Sequence, residues 1–139
     1  MSTEHETSYG GVVVRDDDVI VIVPRGRRRV LGLPKGGPMP GETPEQTAAR
    51  EVREETGITA RVRERLGQVD YTYRRGGRNV AKTVHFYLCQ FEAGDTADHD
   101  HEVDEARWLA LERALVELTY PGERALIERL LSKMPSGRQ

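Results

Sequence analysis

The segment of residues 34–57 constrains the fold of this chain more than any other part of its sequence. Its first nine residues, 34–42, contain three prolines and three glycines, which excludes regular secondary structure and predicts a shaped loop. Glycines let backbone amides approach a ligand closely, and Lys35 adds a positive charge. The loop is therefore a candidate phosphate site, although a Gly-Pro turn without a ligand would have the same composition.

A helix is predicted directly after this loop. Thr43 suits the N-cap, Pro44 suits the first helical position, and Gln46 completes a capping box with Thr43. The predicted helix covers residues 44–56, and Gly57 stands where a left-handed C-terminal cap belongs. Because a helix N-terminus favours anions, the loop and the helix together predict an anion site.

Three glutamates lie on one face of the predicted helix. With about 100° between successive residues, Glu54 and Glu55 fall about 60° and about 40° to either side of Glu51. The other side carries small or apolar residues suited to packing on a sheet: Ala48, Ala49, Val52 and Thr56. Like charges at this spacing destabilise an isolated helix, whereas Mg²⁺ or Mn²⁺ would bind them. The alternative is a solvated acidic face, offset by Arg50 and Arg53.

The loop and the helix together form the pattern Gly36-x5-Glu42-x7-Arg50-Glu51-Val52-x-Glu54-Glu55-x-Gly57-Ile58. This pattern resembles the Nudix box at every fixed position, and a chance match in a chain of this length is on the order of 10⁻⁷. The resemblance implies a Mg²⁺- or Mn²⁺-dependent hydrolase that cleaves a pyrophosphate bond in a nucleoside diphosphate linked to another group. It also implies the Nudix fold, a mixed sheet between helices.

The resemblance assigns roles to residues of the box. Glu51 and Glu55 correspond to the principal metal ligands, and Gly36 to a backbone carbonyl ligand. Glu54 corresponds to a further ligand or to the base that deprotonates water. Arg50 corresponds to the residue that orients the glutamates.

Three further positions follow from the same resemblance. Glu42 corresponds to the box position that supports the loop by pairing with the arginine. Many members of the family place one more glutamate in a later acidic loop, as a ligand or base. Glu102 and Glu105 are both candidates here, and the predicted catalytic residues are Glu54, Arg50 and Glu102.

The flanking segments resemble the Nudix branch that hydrolyses diadenosine polyphosphates. The similar segments are Tyr9-Gly10-Gly11-Val12-Val13, Leu33-Pro34-Lys35-Gly36 and Val84-His85-Phe86-Tyr87-Leu88. A long polyphosphate needs several cations, and a tyrosine can stack on adenine. The predicted substrate-binding residues are Lys35, Arg27, Tyr73, Lys82 and His85.

Other interpretations of these residues stay open. His85 in an apolar strand is also typical of a core histidine, and the tyrosines at 71 and 73 could be one face of a strand. Alternative substrates are ADP-ribose, oxidised nucleoside triphosphates and diphosphoinositol polyphosphates. A function of another class is a non-catalytic nucleotide-sensing module, which the three intact glutamates argue against.

The rest of the chain predicts one α+β domain with a mixed β-sheet, and the resemblance implies that this sheet is sandwiched between helices (α/β/α). We expect a flexible N-terminus over 1–8, a single domain over 9–133 and a tail over 134–139. Apolar and turn patterns predict two strands before the box, a hairpin at Gly76-Gly77 with a central strand after it, and one or two helices near the C-terminus.

Composition narrows the classes of protein. The net charge of −2 lacks the basic excess of a nucleic-acid or anionic-membrane binder, and no apolar run approaches the length of a membrane span. One cysteine excludes an internal disulfide, and the N-terminus is too polar for a signal peptide. We expect a cytoplasmic monomer or homodimer that acts on a small-molecule nucleotide.

Overall fold

A computed structural model describes residues 3–134 of the chain. It contains six strands and three helices: β1 (Glu4–Arg15), β2 (Asp18–Pro24), β3 (Lys35–Gly36), α1 (Pro44–Thr56), β4 (Ile58–Arg75), β5 (Arg78–Gly94), β6 (Val103–Ala110), α2 (Leu111–Glu117) and α3 (Pro121–Lys133). No helix within these residues is long and apolar enough to cross a bilayer.

The sheet is mixed and opens between two neighbouring strands. Its order is β4-β5-β1-β2-β6, with β1 and β5 parallel and the other pairs antiparallel. β1 and β2 pair only beside their turn, at Val14–Val19 and Arg15–Asp18. Farther from the turn, β3 pairs with β1, and Gly32 forms a bridge with Ile22 of β2. The segment before α1 therefore occupies the gap between β1 and β2.

Helices cover both faces of this sheet, as the predicted α/β/α architecture requires. On one face, Ala48 and Val52 of α1 pack into a buried cluster with Val13, Ile20 and Cys89. On the other face, α2 and α3 cover a larger cluster that includes the following buried residues: Val12, Val84, Phe86, Leu111, Leu126, Ile127 and Leu130. The predicted fold class is confirmed.

The predicted helix after the loop is also confirmed, with both of its ends. The Thr43 hydroxyl accepts a hydrogen bond from the Gln46 amide at 3.1 Å, and the Gln46 side chain accepts one from the Thr43 amide at 2.9 Å. Gly57 closes the helix with a φ of 76°. Local sequence signals therefore define α1 completely.

The N-terminal prediction differs from the structure. We expected residues 1–8 to be flexible, but β1 begins at Glu4 and pairs with β5 from Val80 onward. An ion pair of 2.6 Å between Glu6 and Arg75 reinforces this pairing. Residues 1–2 and all of the predicted tail except Met134 lie outside the described residues.

Candidate active site

Gly36 and Glu51 bring the loop and the helix into direct contact. A Cβ atom added at Gly36 would overlap all three atoms of the Glu51 carboxylate group. Only glycine leaves room for this carboxylate beside the backbone of β3. Gly36 and Glu51 are thus adjacent in space, although they are 15 positions apart in sequence.

Glu55 lies one helical turn farther along α1 and is largely buried. Its Oε1 accepts a hydrogen bond from the backbone N–H of Lys35 at 3.1 Å. Burial raises the pKa of Glu55 to about 8, and the nearby charge of Glu51 acts in the same direction. Burial also raises the pKa of Glu51, against the opposing effect of Arg50. Both carboxylates are therefore costly to ionise without a cation.

Arg50 ties the remaining acidic groups together. Its guanidinium donates to Glu42 at 2.6 and 3.0 Å, to Glu51 at 3.1 Å and to Glu54 at 3.1 Å. A further hydrogen bond of 2.8 Å reaches the carbonyl of Gly37 in the loop. The hydrogen bonds from Arg50 are the main reason that the pKa of Glu42 falls to about 2. Arg50 therefore fixes both the glutamate face and the loop.

The donor set suits a hard divalent cation. Glu51 and Glu55 offer carboxylate oxygens next to the backbone of Gly36, and oxygen is the ligand type that Mg²⁺ and Mn²⁺ prefer. Among residues 3–134, no three acidic, histidine or cysteine side chains converge on one point as they stand. A cation bound here would thus rely on water and substrate oxygens for the rest of its ligands.

The acidic loop brings one glutamate to this site and leaves the other outside it. The Asp100 amide donates to the carbonyl of Glu54 at 2.8 Å, which holds the loop against α1. Glu102 lines a cavity together with Glu55, and its charge contributes to the raised pKa of Glu51. Glu105 pairs instead with Arg107 at 2.9 Å and lines a different groove. The structure thus separates the two candidates that the sequence left open.

Two adjoining cavities lie beside the glutamates. The smaller one, of about 150 Å³, is lined by residues that include Arg27, Lys35, Glu55, Glu102, Tyr120 and Glu123. The larger one, of about 520 Å³, is lined by Arg27, Lys35, Tyr71, Tyr73, Lys82 and Tyr120. The two cavities share the lining residues Arg27, Lys35 and Tyr120, so they adjoin, and we call the two together the groove. The groove combines an acidic end with a cationic and aromatic end.

Four of the five predicted substrate-binding residues line this groove, and His85 does not. Val84 and Phe86 point into the core under α3, so His85 between them faces the opposite side of the sheet. There it stacks on Tyr9 at 5.6 Å and contacts Arg65 at 3.0 Å. The proposed substrate role of His85 is therefore not supported by its position.

Tyr120 and Glu123 line the groove, although the sequence analysis predicted neither as a site residue. Tyr120 stacks on Tyr71 with ring centroids 6.4 Å apart and an interplanar angle of 2°. Glu123 is only 2% exposed and accepts a hydrogen bond from the Leu33 amide at 3.0 Å. Both residues belong to the start of α3, which no sequence pattern connects to the box.

Comparisons with known proteins agree with this geometry. The family model described as the NUDIX domain matches residues 5–130. The chain is 44% identical, over 98% of its length, to a Mycobacterium tuberculosis protein named putative mutator protein MutT4. It is 36% identical, over 91% of its length, to a Mycolicibacterium smegmatis protein named 8-oxo-(d)GTP phosphatase. The matches cover 60% and 38% of those two proteins, so the chain spans only part of their length.

A solved structure shows the same fold. An Ap4A hydrolase from Caenorhabditis elegans in a binary complex superposes with a TM-score of 0.74, covering 91% of this chain and 96% of that one. The identity is 24%, so this similarity concerns the fold alone. It does not support the diadenosine polyphosphate branch that the flanking segments predicted.

Proposed function

Because the chain belongs to the Nudix family, we propose that it is a divalent-metal-dependent pyrophosphohydrolase of nucleoside polyphosphates. The observation that carries the proposal is the position of Glu51 and Glu55. They lie against Gly36 and Lys35, at the acidic end of a groove whose other end is cationic and aromatic. A nucleotide has the matching order of groups, with phosphates that need cations and a base that needs an aromatic surface.

Glu51, Glu55 and the Gly36 carbonyl would hold Mg²⁺ or Mn²⁺. The bound metal supplies charge neutralisation for the phosphates and activates water for attack. Lys35 and Arg27 lie where the two cavities meet, so they bind the phosphate groups and stabilise charge that develops on the leaving oxygen. Lys82 extends this cationic surface, and Tyr71 with Tyr120 provides the stacked platform for a base.

Two carboxylates can accept the proton of the attacking water. Glu54 is held by Arg50, and 40% of its side chain is accessible, against 14% for Glu51. Glu102 faces the same cavity as Glu55 from the acidic loop. A general base must reach the proton it removes, and both residues border the place where phosphate and metal would meet.

We assign oxidised purine nucleoside triphosphates as the substrate class. Two relatives support this choice through their names, a mutator protein and an 8-oxo-(d)GTP phosphatase. Oxidised nucleoside triphosphates were an alternative in the sequence analysis, where diadenosine polyphosphates came first. No name among these relatives supports the dinucleotide.

The experiment is a substrate panel with Mg²⁺ or Mn²⁺, resolved by anion-exchange chromatography. The panel contains 8-oxo-dGTP, dGTP, diadenosine tetraphosphate and ADP-ribose, and Glu55→Gln runs beside the wild type. A matched control is Glu128→Gln, because Glu128 is exposed on α3 far from the box in sequence. We expect the highest kcat/KM for 8-oxo-dGTP, retained in the control and lost in Glu55→Gln.

Other outcomes would change the proposal in defined ways. Preference for diadenosine tetraphosphate or ADP-ribose would overturn the substrate class and leave the chemistry in place. If Glu55→Gln still turned over substrate, the proposed role of the α1 glutamates in the reaction would be wrong. Nucleotide binding without turnover of any substrate would favour the sensing module.

A further inference from the structure

Residues 31–36 form a strap between the two halves of the opened sheet. Gly32 and Ile22 exchange two backbone hydrogen bonds of 2.9 and 2.8 Å, which fasten the strap to β2. The Pro34 carbonyl accepts from the Gly11 amide at 3.1 Å, which fastens it to β1. The strap ends at Gly36, where it meets the carboxylate of Glu51.

Alternate N–H groups of the strap are held by side chains from α1, from α3 and from the loop before α3. The Leu31 amide donates to Thr119 Oγ1 at 2.8 Å, the Leu33 amide donates to Glu123 Oε1 at 3.0 Å, and the Lys35 amide donates to Glu55 Oε1 at 3.1 Å. In an extended chain, the backbone N–H groups of alternate residues point to the same side. The three acceptors therefore lie along one edge of the strap. Two of them are carboxylates, the buried Glu123 on α3 and the half-buried Glu55 on α1.

Glu123 is an unusual residue for this position. Its side chain is almost completely buried in the first turn of α3, and burial raises its pKa to about 7. Its Oε1 pairs with the Leu33 amide, and the side chain borders the smaller cavity that contains Lys35 and Glu55. Burying a carboxylate at this position costs free energy, and its hydrogen bond offsets part of that cost. A residue kept there at such a cost is a candidate for a role in the fold or in the site.

We propose that Glu123 is a positioning residue of the active site. It holds Leu33, and because the strap is fastened along its length, this contact fixes Lys35 two residues farther on. Lys35 in turn fixes Glu55 through its own amide. The inference rests on the proposed function, because the position of Lys35 and Glu55 matters only if they serve metal and phosphate there.

The test separates positioning from folding. Glu123→Leu removes the acceptor with little change in volume, and Glu123→Gln keeps an acceptor oxygen at the same distance. The control is Glu128→Leu on the exposed part of the same helix. The readouts are kcat and KM separately, the affinity for Mn²⁺ alone by calorimetry, and hydrogen exchange of the Leu33 and Lys35 amides.

We expect Glu123→Leu to lower kcat by about tenfold or more, since a small displacement of a reacting group is enough for such a loss. Its Mn²⁺ affinity should fall and exchange of the Lys35 amide should accelerate. Glu123→Gln should restore kcat to within about threefold, and Glu128→Leu should match the wild type.

Faster exchange at Leu33 with unchanged kcat and unchanged Mn²⁺ affinity would overturn the proposal, because Glu123 would then serve the fold alone. If Glu123→Leu does not fold, Glu123→Asp replaces it, because it keeps the charge but withdraws the acceptor by one methylene. The same criterion then applies. Should the wild type lack turnover, the Mn²⁺ affinities and exchange rates still decide on Glu123, while the hydrolase proposal fails separately.

Discussion

The backbone N–H of Lys35 donates a hydrogen bond of 3.1 Å to the half-buried carboxylate of Glu55. One residue therefore presents an ammonium group to the groove and its amide to the glutamate face of α1. This contact couples the place where phosphate binds to the place where a metal is expected. It joins the loop and the helix of the box into one structural unit.

The first prediction concerns the fit between Gly36 and Glu51. Gly36→Ala would put a methyl group into the Glu51 carboxylate, so we expect activity to fall by about a hundredfold. Gly37→Ala is the matched control, because a Cβ at Gly37 meets nothing within 4 Å. Steady-state kinetics of both variants measures the difference. Equal activity of the two variants would show that the close approach at Gly36 is not needed.

The second prediction concerns the fork of hydrogen bonds from Arg50. Arg50→Lys keeps the charge but cannot bind Glu42, Glu51 and Glu54 together, so kcat should drop by about tenfold or more. Arg53→Lys on the exposed side of the same helix should stay close to the wild type. A lysine variant with full kcat would mean that charge alone orients the glutamates.

The third prediction distinguishes the two candidate bases. Loss of a general base costs about 10²- to 10⁴-fold in rate, so whichever of Glu54→Gln and Glu102→Gln shows this loss carries the base. The base variant should also lose the acidic limb of the pH–kcat profile. Glu105→Gln serves as the control, because Glu105 pairs with Arg107 outside the groove. If Glu105→Gln alone lost activity, the position of the acidic loop would be wrong.

The fourth prediction links Glu123 to the pH dependence of stability. Its pKa of about 7 in the folded protein lies well above the usual value for a glutamate, so the folded state holds this proton more tightly. The resulting stabilisation is complete below pH 4.5 and is lost as the pH rises to about 7. Its size is about 3 kcal/mol at most. Urea unfolding should show that the wild type loses stability relative to Glu123→Gln between pH 5 and pH 8, and an increase would contradict the raised pKa.

Much of the fold was predictable because its signals are local. The capping residues of α1, the Gly76-Gly77 turn and the period-two strands each depend on neighbours within a few positions, and the structure confirms them. The N-terminal strand was not predictable in the same way. Residues 4–8 look polar in sequence, and only the parallel pairing with β5 and the ion pairs with its hairpin order them.

The sequence by itself determined the helix, its glutamate face and the loop that precedes it, since one turn of helix and one run of glycines define that geometry. Only the tertiary structure decided which distant residues complete the site. Glu102 lies at the groove and Glu105 lies outside it. His85 faces the other side of the sheet, whereas Tyr120 and Glu123 line the groove. The physical reason is that helix periodicity places residues within a few positions. Strand register and the packing of α3 on the sheet bring together residues 90 positions apart, such as Leu33 and Glu123.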